Sequence, residues 1–71
     1  MNFTAYIERD PESGMYIALV PALPGAHTQA ESLDDLQKNL QDVVNLCLTE
    51  MDKDDKRLIP EFIGTMEVRL D

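Results

Sequence analysis

From Ser32 to Met51 the apolar residues recur at helical spacing and on one side only. Leu33, Leu36, Leu40, Val43, Val44, Cys47, Leu48 and Met51 fall on one stripe, with Lys38, Asp42, Asn45 and Thr49 opposite. A helix that is apolar on one face must bury that face against a second layer. Ser32 with Asp35 three positions on resembles a capping box, and Asp34 and Asp35 suit the positive end of the helix dipole. The helix should fade near Met51, where Asp52-Lys53-Asp54-Asp55-Lys56-Arg57 reads as a solvated charge run. Leu46 lies outside the stripe and is a candidate contact residue.

The second layer is legible as strands. Asn2 to Glu8 alternates, with Phe3, Ala5 and Ile7 on one face and Thr4, Tyr6 and Glu8 on the other. Asp10-Pro11-Glu12-Ser13-Gly14 is a cluster of turn formers, and Met15 to Val20 is a second strand, so the pair reads as a hairpin. Pro21-Ala22-Leu23-Pro24-Gly25 is too short for a linker. Its two prolines fix two φ angles, and Gly25 is free to take a positive φ, which makes the connection rigid. Ala26 to Ala30 reads as a short third strand. Phe62 to Leu70 reads as a last one, with Phe62, Gly64, Met66, Val68 and Leu70 on its core face. The expected fold is α+β, in the order β-β-β-α-β, with one helix packed on a small mixed sheet. A parallel placement of the third and last strands would require a right-handed crossover.

Length sets the energetic frame. A chain of 71 residues holds one domain, expected to span residues 1–71. A domain this small buries only about 60% of its unfolded surface, so a staple is expected. Cys47 is the only cysteine and His27 the only histidine, which excludes an internal disulfide and argues against a closed zinc site. Oligomerisation or a bound partner is the remaining staple. No secretory leader and no apolar run of about 20 residues is found, so a cytoplasmic protein that does not enter membranes is expected.

Fourteen acidic residues against six basic ones give a net charge of −8. Such a surface repels nucleic acid and suits a basic protein. The plainer alternative is that the charge serves solubility. Catalytic patterns are missing: the three glycines are scattered, and no H-E-x-x-H, G-x-S-x-G or paired-Cys motif occurs. Cys47 sits in the helix stripe and reads as a small hydrophobe. Asp52, Asp54 and Asp55 lack the spacing of a calcium loop. No enzyme activity, cofactor or metal is expected.

One stretch is more specific. Tyr16-Ile17-Ala18-Leu19-Val20-Pro21-Ala22-Leu23-Pro24-Gly25-Ala26-His27-Thr28, then Glu31-Ser32-Leu33-Asp34-Asp35-Leu36 and Asn39, resembles the signature of HicB-like antitoxins. Phe62-Ile63-Gly64-Thr65-Met66-Glu67-Val68 resembles that family's last strand. Ala22, Ala26 and Ala30 stand where the family has an acid, a cysteine and a glycine. The resemblance implies a partial RNase H-like fold with the last strand beside the first. It also implies an antitoxin that masks a small basic HicA-like toxin, which cleaves mRNA with a histidine. The domain is expected to stand alone, without a DNA-binding extension. Tyr16, Leu23, His27, Glu31 and Leu46 are the candidate partner contacts. Two other readings are a homo-oligomeric domain, dimeric or tetrameric, with a different partner or none, and a metal-dependent nuclease. The fold alone supports no nuclease, and the first strand offers only Glu8 for a metal.

Overall fold

The chain begins with a hairpin whose turn is tied by its own side chains. A computed structural model describes residues 1–71. Strands β1 (Tyr6–Arg9) and β2 (Tyr16–Leu19) pair antiparallel, with Ile7 opposite Ala18 and Arg9 opposite Tyr16. In the turn, the Asp10 N–H donates to the Met15 carbonyl at 2.8 Å and the Gly14 N–H to the Asp10 carbonyl at 2.9 Å. The Asp10 carboxylate accepts from the Ser13 hydroxyl at 2.6 Å and the Ser13 N–H at 3.0 Å. Those bonds, the hydroxyl first, hold the Asp10 carboxyl below its ordinary pKa. β1 starts later than the alternation suggests. The ladder with β1 stops at Leu19 opposite Tyr6, two residues before Pro21, which has no N–H to extend it.

The proline loop is tied by its own backbone hydrogen bonds. Within it the Leu23 N–H donates to the Val20 carbonyl at 3.0 Å and the Ala26 N–H to the Leu23 carbonyl at 3.0 Å. Gly25 takes φ of 81°, the left-handed region that disfavours side chains. Strand β3 (His27–Ala30) then pairs antiparallel with β2, placing Tyr16 opposite Ala30 and Ala18 opposite Thr28. The sheet is a three-stranded meander in the order β1-β2-β3, wholly antiparallel rather than mixed.

Helix α1 (Leu33–Glu50) follows at once. Ser32 is its N-cap, and the Ser32 hydroxyl accepts from the Asp35 N–H at 3.1 Å. The reciprocal half of a capping box forms elsewhere, in the stretch read as a charge run. There Asp52 accepts from the Asp55 N–H at 2.8 Å, and Asp55 accepts from the Asp52 N–H at 3.4 Å. That box starts α2 (Lys53–Arg57), a short helix whose residues are all solvent-exposed. Acids in its first turn and Lys56 and Arg57 in its last complement its dipole. No helix is long and apolar enough to cross a membrane.

Packing on one side of the sheet makes the core. Ala18, Ala30 and Leu36 form one cluster, with Tyr16 and Leu40 against it. Val20, Leu23 and Ala26 form a second, covered by Phe3, Ala5, Val43, Val44, Cys47, Leu48, Met51 and Ile59. Leu40 touches both. α1 packs on β3 and β2. Leu33, at the start of the stripe, remains 53% exposed.

The last expected strand is not formed. Residues 61–71 have no regular secondary structure and all are exposed. The physical reason is non-local: a strand needs a neighbour to supply its ladder, and none of these residues' backbone groups pairs with another backbone group. The β-β-β-α order and the α+β class stand, and α2 occupies part of the connection expected before that strand.

Two stability outcomes follow from these contacts. Leu36→Ala should destabilise by about 2–5 kcal/mol, because the side chain is buried and its removal leaves a cavity. Leu48→Ala, at a half-buried position, should cost less. Equal losses on chemical unfolding would show that the helix face is turned. Gly25→Val and Gly25→Ala should each cost about 1–3 kcal/mol through backbone strain, since an added Cβ meets nothing within 4 Å. Gly25→Asn should lose less, because Asn tolerates the left-handed region. Indistinguishable melting of all three variants would remove the strain explanation.

Candidate functional site

The exposed flank of α1 is built by helical spacing. Asp35, Asn39, Asp42, Leu46 and Glu50 succeed one another at three- or four-residue steps, so they share one stripe beside the core face. The Asn39 side-chain amide donates to the Gln29 carbonyl at 3.3 Å. This bond fixes the stripe on the β3 side of the molecule and takes up a carbonyl of the outer strand. Leu46 stands 60% exposed between Asp42 and Glu50. An apolar side chain framed by carboxylates is the arrangement that a basic surface with a shallow apolar pocket would fit.

The acids on this flank are not neutralised from within. Arg57–Asp54, 3.9 Å apart on α2, is the one ion pair in the chain. No basic residue lies in the last turn of α1. An exposed pair of this kind contributes little to stability, so the net charge of −8 remains available to a partner.

The residues singled out from the sequence separate into different environments. Tyr16 is half-buried on the helix side of β2, beneath the Arg9 guanidinium. Arg9 lies 4.7 Å from the ring centroid and donates to the Tyr16 hydroxyl. Leu23 is 1% exposed and belongs to the core, so its side chain offers nothing to a partner. The loop hydrogen bonds turn it inward, and it acts by packing. His27 is exposed at the start of β3, opposite Leu19 and therefore on the sheet face away from α1. Glu31 is exposed in the two-residue link between β3 and α1. Leu46 is on the acidic flank. No single pocket gathers all five.

The sheet face away from α1 carries a second uncovered surface. Tyr6, Leu19 and His27 lie side by side across the three strands, above a row of Glu8, Ile17 and Gln29. His27 and Cys47 lie on opposite sides of the sheet, since Cys47 packs with the core under α1. No thiol–imidazole pair can form between them. No three His, Cys, Asp or Glu residues converge in a metal-binding group.

Composition and the core stripe do not by themselves single out the acidic flank. Its signal was present in the same spacing, in Asp35, Asp42 and Glu50 bracketing Leu46. Arg9 stacking on Tyr16 carries no local signal, because it depends on the hairpin register.

Similar chains carry one shared name. A UPF0150 protein of Thermotoga maritima is 42% identical over 62 residues, 87% of this chain and 80% of its own. A UPF0150 protein of Synechocystis sp. is 41% identical over 67 residues, covering 94% and 91%. One from Archaeoglobus fulgidus is 43% identical over 70 residues, covering 99% and 96%. No family model matches the chain, and no solved structure matches it.

Leu46 should be dispensable to the fold. Leu46→Ser is expected to change stability by no more than about 0.5 kcal/mol, as surface positions do. A loss as large as that of Leu36→Ala would mean that Leu46 is buried in solution.

Proposed function

We propose that this chain, which belongs to the UPF0150 family, is an antitoxin-like binding protein that masks a small basic toxin of the mRNA-cleaving HicA kind. The observation that carries the reading is the unneutralised acidic flank of α1 around Leu46. It accompanies the resemblance of Tyr16–Thr28 and Glu31–Leu36 to HicB-like antitoxins. A basic toxin would be drawn to such a flank over a distance set by ionic screening, about 8 Å at physiological salt. Carboxylates would then orient it, and Leu46 would give it an apolar anchor. Masking is achieved by occupancy: a toxin surface that recognises RNA phosphates is basic, and carboxylates compete for the same positions. Such a role belongs in the cytoplasm, where mRNA is found.

Catalysis by the chain itself has less support. A metal-dependent nuclease needs carboxylates converging on one or two ions. Here the carboxylates are spread along exposed faces, and Glu8 stands on the side of the sheet opposite α1.

The test is reconstitution with the small basic protein encoded by the neighbouring reading frame. A stoichiometric complex that suppresses its RNA cleavage is expected. Replacing Asp35, Asp42 and Glu50 by Asn, Asn and Gln should weaken the complex at least about tenfold, or roughly 1.4 kcal/mol. RNA cleavage that persists with the chain in excess would reject the antitoxin reading. Suppression undiminished by the triple substitution would place the contact elsewhere.

A further inference from the structure

The end of α1 and the proline loop enclose an open groove of about 480 Å³. Pro21, Ala22 and Pro24 line it on the loop side, and Leu58, Ile59 and Pro60 line it from beyond α2. α1 contributes Cys47, Glu50 and Met51. Both sides are held from within the chain. Two prolines and the hydrogen bonds at Leu23 and Ala26 fix the loop. The Asp52–Asp55 capping box fixes α2, and the Leu58 N–H donates to the Asp55 carbonyl at 3.0 Å. Ile59 packs on the core cluster of Val20, Leu23 and Ala26. A groove shaped in advance binds without the ordering cost of a flexible surface. Leu58 is 79% exposed and Pro24 is exposed as well, so the apolar lining is open to a partner.

The groove carries one sign of charge. Glu50 and Asp55 are the charged residues that line it, and both are acids. No basic residue stands in the last turn of α1, so the negative end of its dipole is uncompensated. The Thr49 and Glu50 carbonyls at that end accept no backbone N–H. The bases of α2 do not line the groove: Arg57 pairs with Asp54, and Lys56 lines a different hollow, with Met1 and Phe3. An apolar channel with a negative rim selects a cation on an apolar stem. Lysine and arginine are such groups, because their methylenes bury along apolar surface while the charged head stays at the rim. A neutral apolar segment would cover Glu50 and Asp55 without pairing them, which costs free energy.

We propose that this groove is the socket for a lysine or arginine side chain of a basic protein partner, with its stem against Met51, Leu58 and Pro24 and its charged head at Glu50 and Asp55. Glu50 also ends the acidic stripe of α1, so the socket continues the flank on which such a partner would lie. The inference rests on the reading of a basic partner, and it assigns the place where one of that partner's side chains is gripped.

The test uses the full chain and a synthetic peptide, acetyl-Ala-Leu-Arg-Leu-Ala-amide, beside a second peptide with norleucine in place of the arginine. The arginine peptide should shift the methyl resonances of Met51, Leu58 and Ile59 saturably. The norleucine peptide should bind at least about tenfold more weakly. Glu50→Gln and Leu58→Ser should each weaken binding about threefold, and together about tenfold. Both residues are exposed, so far-ultraviolet circular dichroism should not change. Glu12→Gln removes the same charge from the turn between β1 and β2 and should leave binding unchanged. Equal binding of the norleucine peptide, or equal weakening by Glu12→Gln, would overturn the proposal. So would the absence of saturable shifts, or shifts centred on Asp34 to Asp42. Failure of the chain to suppress RNA cleavage would reject the toxin reading and leave these shifts in place, so the two can fail separately.

Discussion

Leu36 settles on Ala18 and Ala30, and that contact decides where everything else can go. Both alanines are closed off, Ala18 completely, and both lie on the same face of the sheet. Side chains this small let a helix approach the strands closely, and interiors at native density leave little room for enlargement. With Leu36 seated there, and Asn39 bonded to the Gln29 carbonyl, α1 is fixed over β3 and β2. One consequence is a helix flank of carboxylates presented on the β3 side. The other is a bare strand on the β1 side. The candidate binding surface and the uncovered strand are thus two results of one packing decision.

The resulting molecule is thin. It measures 17 Å across its smallest dimension, and only six of its 71 residues are buried. A core of that size leaves a narrow margin over conformational entropy. Local devices carry part of the load: the Asp10–Ser13 turn, the left-handed Gly25 and the Ser32 cap. Each fixes backbone at small cost in ordered side chains. They cannot close the sheet edge, which needs another strand. A partner that covers either open surface would therefore stabilise the fold as well as be recognised by it.

Much of this was legible in the sequence where the determining interactions are local. Ser32 marked the helix start, the stripe from Leu36 to Met51 marked its buried side, and the turn formers between Glu8 and Met15 marked the hairpin. Gly25 was identified as a positive-φ position from its place after Pro24. The α+β class followed, because a one-sided helix and alternating strands have few ways to hide their apolar faces. What was not legible is non-local. Leu23 sits between two prolines in a loop, and nothing in that pattern says that the loop folds inward. The charge run gave no hint that Asp52 and Asp55 would cap each other. Phe62–Leu70 has every residue a strand needs, and strand formation still depends on a neighbour that the alternation cannot supply. Of the candidate site, the exposure of Leu46 was readable from its absence from the stripe. Its acidic frame became meaningful only once the helix had a fixed orientation.

Amide hydrogen exchange in the Leu36→Ala variant tests most directly whether the contact with Ala18 and Ala30 governs the rest of the structure. Amides of α1 and β2 should be protected in the parent chain, since their partners lie within the chain. In the variant, α1, β2 and β3 should lose protection together, because the helix has lost its seat on the strands. Loss confined to the first turn of α1, with β2 and β3 unchanged, would mean that other contacts hold the helix in place, and would contradict the account.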